Sequence, residues 1–309
     1  MRLASQRYGN GGKRGQTALF RDSHCPASLS SAAEKGSQFP FSTLYCYLFA
    51  LALAAPLSAQ WINYPTAGLP RTADGKPNLS APAPKTADGK PDLSGLWLAE
   101  KDMPCDPEGC RDLPVGRKFF NIAFGRKEGP LPYRKETADL VKKRMDDLAK
   151  DDPDSQCLPQ GILKMHAAPL MRKMVQTPGL MLILNERNAA YRQIFLDGRT
   201  LETDPNPNFR GYSTGRWEGD ALVVESNGFR DDVWVDRNGN PISSAARITE
   251  KFRRPSFGRL EVEVIVDDPQ NYTAPWTVTM IQLLQPDTEM MNFYCLENER
   301  SVSHMGVGQ

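Results

Sequence analysis

Read as alternating strand residues, the segment ARITEKFR at 246–253 puts Ile248, Glu250 and Phe252 on one face and Arg247, Thr249, Lys251 and Arg253 on the other. A carboxylate set in an apolar stripe is costly unless a cation or a water-filled cavity meets it. Arg192, on the same face as Ile194 and Leu196, is the candidate partner, because a guanidinium fork grips a carboxylate at two points. Gln282, in line with Met280 and Leu284, is a second polar group on an apolar face. Glu225, in line with Ala221 and Val223, is expected to point inward as well. Converging, these groups form a few polar points in an apolar wall, the make-up of a pocket for a small, partly apolar ligand. Trp217, Trp234 and Trp276 would stack at its mouth. The competing reading is that Glu250 and Arg192 form a buried ion pair that orders the core, which the tryptophans fill.

A catalytic reading uses the same carboxylates. His166, in a segment placed to cap the domain, would serve as base with Glu250 or Glu225 in a hydrolase or lyase. A lone histidine is more often structural, and no Ser or Cys stands out as its nucleophile. The adjacent pairs Asp231/Asp232 and Asp267/Asp268 belong at strand ends or turns, since neighbours in a strand face opposite ways. There is no phosphate loop, nucleophile elbow or HExxH pair. No cofactor and no metal are expected.

Compartment follows from the leader and the cysteines. Residues 44–59, LYCYLFALALAAPLSA, form an apolar run of 16 residues behind Arg2, Arg7, Lys13, Arg14, Arg21 and Lys35, ending in Leu57-Ser58-Ala59. Too short for a membrane span of about 20 residues, it reads as an export signal cleaved after Ala59. The basic stretch before it is longer than export needs, as expected if translation starts downstream of Met1. The full chain carries 38 Lys+Arg against 37 Asp+Glu. Losing six basic and two acidic residues with the leader leaves 32 against 35, a net charge of −3. That balance excludes a nucleic-acid binder held by bulk charge. Four cysteines remain, Cys105, Cys110, Cys157 and Cys295, and in an exported chain they read as disulfides with three possible pairings. The turn DPEG favours Cys105 with Cys110, leaving Cys157 with Cys295. Only His166 and His304 remain after export, neither at a ligand spacing from a Cys or from the other.

The elements that must position these groups are short strands. With 25 Pro and 24 Gly the chain is rich in turns. RTADGKPNLS at 71–80 recurs as KTADGKPDLS at 85–94, making residues 60–94 a Pro-rich strap, either a surface spacer or an arm for a protein partner. Ser94-Gly95-Leu96-Trp97 opens the folded domain of residues 95–309. A helix is expected over 133–150, with Ala138, Val141, Met145 and Leu148 along its apolar face. Eight strands follow, at 180–186, 191–196, 211–217, 221–226, 246–253, 259–267, 276–284 and 288–295. Their short links force hairpins, and no helical pattern interrupts them. The expected fold is mainly β, an antiparallel up-and-down meander closing into a lipocalin-like barrel, with a two-sheet sandwich as the alternative and one or two peripheral helices.

The blocks DGKPDLSGLW (88–97), CLPQGI (157–162), YRQIFLDGR (191–199), GYSTGRWEGDALVVE (211–225) and DDPQNYTAPW (267–276) resemble a family of exported bacterial β-rich proteins without an assigned activity. The resemblance implies a single β-rich domain behind a signal peptide, and no catalytic residue. The Gly-x-Trp opening is also similar to lipocalin-like barrels. The expected function is that of a periplasmic or secreted barrel that binds a small ligand. A hydrolase or lyase and an envelope interaction protein are the alternatives.

Overall fold

The computed structural model describes residues 64–102 and 116–295. The leader, Cys105 and Cys110 lie outside them. Nine strands close into a barrel in sequence order: β1 (Gly95–Ala99), β2 (Arg172–Gln176), β3 (Leu180–Asn185), β4 (Ala190–Phe195), β5 (Tyr212–Glu218), β6 (Ala221–Asn227), β7 (Arg247–Ser256), β8 (Arg259–Asp267) and β9 (Trp276–Leu284). Between β1 and β2 lie α1 (Arg117–Phe120), α2 (Lys135–Asp146), a 3-10 turn (Pro153–Gln156) and α3 (Ile162–Ala167). The barrel replaces the sandwich alternative.

An odd number of strands cannot close with every neighbour antiparallel. Eight of the nine seams are antiparallel, and the ninth, between β4 and β5, is parallel. That seam has a single paired position, Phe195 opposite Thr214, whereas β7 and β8 pair from Arg247/Asp267 to Ser256/Arg259. Gly215 permits the approach at this point, because a Cβ there would lie 2.8 Å from Leu196 Cδ2.

Seven of the eight expected strands form. TEMMNFYC at 288–295 does not, apart from one bridge of Phe293 to Arg187. With β9 already paired to β1 there is no free edge there, and Cys295 is tied to Cys157 by a disulfide across 138 residues. The barrel is completed instead by β2, RKMVQ, whose inward Arg172 interrupts the apolar alternation that marks a strand.

The helix lies over 135–146, but its buried residues are Thr137 and Val141, while Ala138, Met145 and Leu148 are exposed. Arg144 turns the helix toward the core by donating to Gly239 O at 2.6 Å and lying over the Trp234 ring at 4.3 Å. A charged side chain therefore makes the contact expected of an apolar stripe.

One end of the barrel is closed by the strap. Its two TADGKP copies fold alike: Thr72 N–H donates to Lys76 O and Thr86 N–H to Lys90 O, both at 2.9 Å, around Gly75 and Gly89 at φ 80° and 79°. Leu93 is fully buried, Gly258 N–H donates to Leu79 O at 2.8 Å, and Arg71 pairs with Asp287 at 2.7 Å. The other end is closed by α3. Pro169 stops this helix after two turns, and all six of its residues are buried. Among the described residues no helix is long and apolar enough to cross a membrane.

Candidate functional site

The inner faces of β2, β4, β7 and β9 contribute Arg172, Arg192, Glu250 and Gln282, which converge on α3, while a second inward side chain of β7, Arg254, donates instead to the carbonyls of Phe257 and Ser94. Arg192 grips both carboxylate oxygens of Glu250, with Nη1 3.0 Å from Oε1 and Nη2 closer still to Oε2. Its other donors are taken by Ser213 Oγ and Ser226 Oγ, each within 3.2 Å. Serines on β5 and β6, with Gly215 beside them, leave the lumen room for the guanidinium.

Burial works to raise the Glu250 pKa, but Arg192 and His166 overcome it and hold the group down to about 2. An ionised carboxylate can only accept. His166 therefore carries its proton on Nε2, which donates to Glu250 Oε1 at 2.8 Å. Burial pushes the His166 pKa below its ordinary value; Glu250 opposes this and the Arg172 and Arg192 charges add to it. The ring is thus neutral at neutral pH, and Nδ1 is a lone pair with no hydrogen-bond partner. His166 forms part of a small cleft of about 40 Å³, with Ala99 and Glu100 at the end of β1 and Thr279–Ile281 of β9 also in its wall.

Arg172 is buried without a carboxylate. It donates to Met165 O, at the C-terminal turn of α3, and to Gln282 Oε1, while Gln282 Nε2 donates to His166 O at 3.0 Å. Burial lowers its pKa to about 9. Lys164 pins the opposite side of α3 by donating to both oxygens of Asp152 at 2.7 Å.

The structure therefore brings Glu250, Arg192, Gln282 and His166 into one network, which fills the lumen rather than lining a hollow. Glu225 is not part of it. The inward set of β6 is Leu222, Val224 and Ser226, and Glu225 lies outside, exposed and 3.3 Å from Arg216. Residues 221–224 are buried on both faces, so their apolar pattern carried no phase. Nor do the tryptophans line a mouth. Trp234 and Trp276 are core residues, the latter edge-on to Tyr272 at 5.4 Å, and Trp217 is half-buried beside the core.

A larger opening lies at the parallel seam. Away from Phe195 and Thr214 the two strands diverge, leaving a cleft of about 550 Å³ with buried Arg192 and Ser213 at its bottom and exposed Tyr191 and Tyr212 at its lips. Arg210, just before β5, also lines it. Its Nε is buried without a partner, and no side chain or carbonyl among the described residues accepts from its guanidinium. Burial, with a smaller contribution from the Arg192 charge, lowers its pKa to about 10. Leaving such a donor unmet costs about 1–3 kcal/mol. Neither Arg210 nor Arg172 carried a local signal. What distinguishes them is which partners they have, and those come from distant strands.

No family model, curated protein or solved structure matches this chain.

Proposed function

We propose that the protein is an exported barrel that binds a small ligand, and that the ligand sits in the cleft between β4 and β5 rather than in the lumen. The observation that carries this reading is the splayed parallel seam, with a half-buried cation at its side, Arg210, that nothing among the described residues satisfies. A cleft of about 550 Å³ lies within the range usual for small-molecule sites. Its aromatic lips and its few polar groups fit the same pattern. Export is supported by the Cys157–Cys295 disulfide, which belongs to an oxidising compartment, together with the leader and the resemblance to exported proteins. The test is a thermal-shift screen of the protein against fractionated periplasmic extract. A ligand present at about 100 times its Kd stabilises the native state by about 2.7 kcal/mol, so a binder raises the Tm by several degrees. A screen in which no fraction raises the Tm, or in which Tyr191→Ala and Tyr212→Ala leave every hit unchanged, removes the reading.

A second reading, proton abstraction in a hydrolase or lyase, is favoured by the bare Nδ1 of His166 beside a small cleft, with Glu250 orienting the ring in the manner of a catalytic dyad. Among the described residues no Ser, Thr or Cys is hydrogen-bonded to that ring, which favours base chemistry over a covalent nucleophile. A turnover assay that finds activity abolished by His166→Gln, with the fold retained, would select this reading.

A further inference from the structure

Arg192 and Arg210 at the seam, and Arg172 across the lumen on β2, differ in what balances them. Arg192 is neutralised by Glu250 through a bidentate pair, and Arg172 is met by the α3 carbonyl of Met165 and by Gln282. Among the described residues Arg210 has neither, and the charge that acts on it is a further cation, Arg192. The cleft it lines therefore presents one unbalanced positive charge, with a fork geometry suited to a carboxylate. A dianion such as phosphate would be left half-neutralised there. The remaining wall combines the amides of Asn188, Gln193 and Asn208 with ring surface: Tyr191 is 61% and Tyr212 39% exposed, and Phe195, its ring under Arg199 at 3.8 Å, lies at the pairing point. Exposed aromatic rings next to a single cation favour a ligand with a flat apolar body and one anionic end.

We infer that the β4–β5 cleft binds an aromatic monocarboxylate, its carboxylate on Arg210 and its ring between Tyr191 and Tyr212. This rests on the reading of the seam as the ligand site and adds the class of ligand. It also accounts for an unpaired guanidinium in the wall of a cleft. The cost of leaving Arg210 unmet is repaid only when the anion arrives, so the residue stabilises the complex and burdens the free protein.

The probe is sodium 2-naphthoate, compared with the neutral isostere 2-naphthamide and with inorganic phosphate. Binding is followed by titration calorimetry and by amide shifts of residues 190–193 and 210–213. Naphthoate is expected to shift those amides and to bind at least about tenfold more tightly than the amide, the usual value of a charge-assisted hydrogen bond. Arg210→Gln is expected to lose that factor while raising the Tm of the free protein; Arg210→Lys is expected to recover only part of it. Equal binding of naphthoate and naphthamide at the seam would overturn the carboxylate assignment and leave the seam site standing. Tighter binding of phosphate, or unchanged naphthoate affinity in Arg210→Gln, would overturn it too. Shifts at the seam with none of the three probes would remove both this inference and the binding reading beneath it.

Discussion

Arg192 and Glu250, on β4 and β7, meet across the lumen as a bidentate pair at 3% and 0% exposure, and His166 of α3 completes the contact on Glu250 Oε1. The pair joins the two sides of the barrel to the helix that plugs it. Removing one member leaves a buried uncompensated charge, which typically costs about 3–5 kcal/mol. Glu250→Gln is therefore expected to lower stability by that amount, a large share of the 5–15 kcal/mol typical of a domain. Urea denaturation measures it. A loss under 1 kcal/mol would mean that the pair contributes little to the barrel.

The same network sets the pH response. Glu250 has a folded pKa of about 2 against an ordinary value of 4.5, so it contributes stability that is present above 4.5 and lost as the pH falls through about 2. His166 has a folded pKa below its ordinary 6.5, so the unfolded chain takes up its proton first and stability begins to fall below pH 6.5. Both act in one direction. Melting temperatures taken from pH 8 to pH 3 should decline from about pH 6.5 downward, and His166→Gln should remove the upper part of that decline. A profile flat to pH 4 would contradict the burial of a neutral imidazole.

The Cys157–Cys295 bond closes a loop of 138 residues and holds the segment after β9 against the β3–β4 turn, where Phe293 N–H donates to Glu186 O at 2.9 Å. Crosslinks of this kind contribute about 2–5 kcal/mol. Reduction, or Cys295→Ser, should lower the Tm and expose the 286–295 segment to protease while the barrel persists. Mass mapping of a non-reducing digest checks the pairing.

Gly258, in the β7–β8 turn, lies against Leu79 so closely that a Cβ would fall 2.4 Å from Leu79 Cβ. Gly258→Ala should therefore displace the first strap repeat, at a cost of about 1–3 kcal/mol for the overpacking. Limited proteolysis reads this directly, since cuts should appear between 64 and 92 in the variant and not in the parent. An unchanged digestion pattern would show that the strap is held elsewhere.

Much of the barrel was legible because it is written in neighbouring residues. The alternation Ile248-Glu250-Phe252 and the turn at Glu218–Asp220 needed no information from elsewhere in the chain. The Arg192–Glu250 partnership was also legible, since each was a lone charge on an apolar face. β2 was not, because its inward residue is a cation whose acceptors lie on α3 and β9. Leu148 misled for another reason: the helix ends at Asp146, and two residues beyond it Leu148 stands at φ 56° and 88% exposed, while Arg144 makes the contact with Trp234.

By itself the sequence determined the class of fold, the hairpin order from β5 onward and the inward-facing pair at the centre, since each depends on period and spacing over a few residues. The tertiary structure alone decided that nine strands close the barrel and not eight. With nine, parity requires one parallel seam, and a parallel pair held at a single position opens into the cleft between β4 and β5. It likewise decided that Glu250 belongs to a filled lumen and that Arg210 is left without a partner among the described residues. Whether a charge is balanced depends on what distant strands bring beside it, and no local pattern contains that.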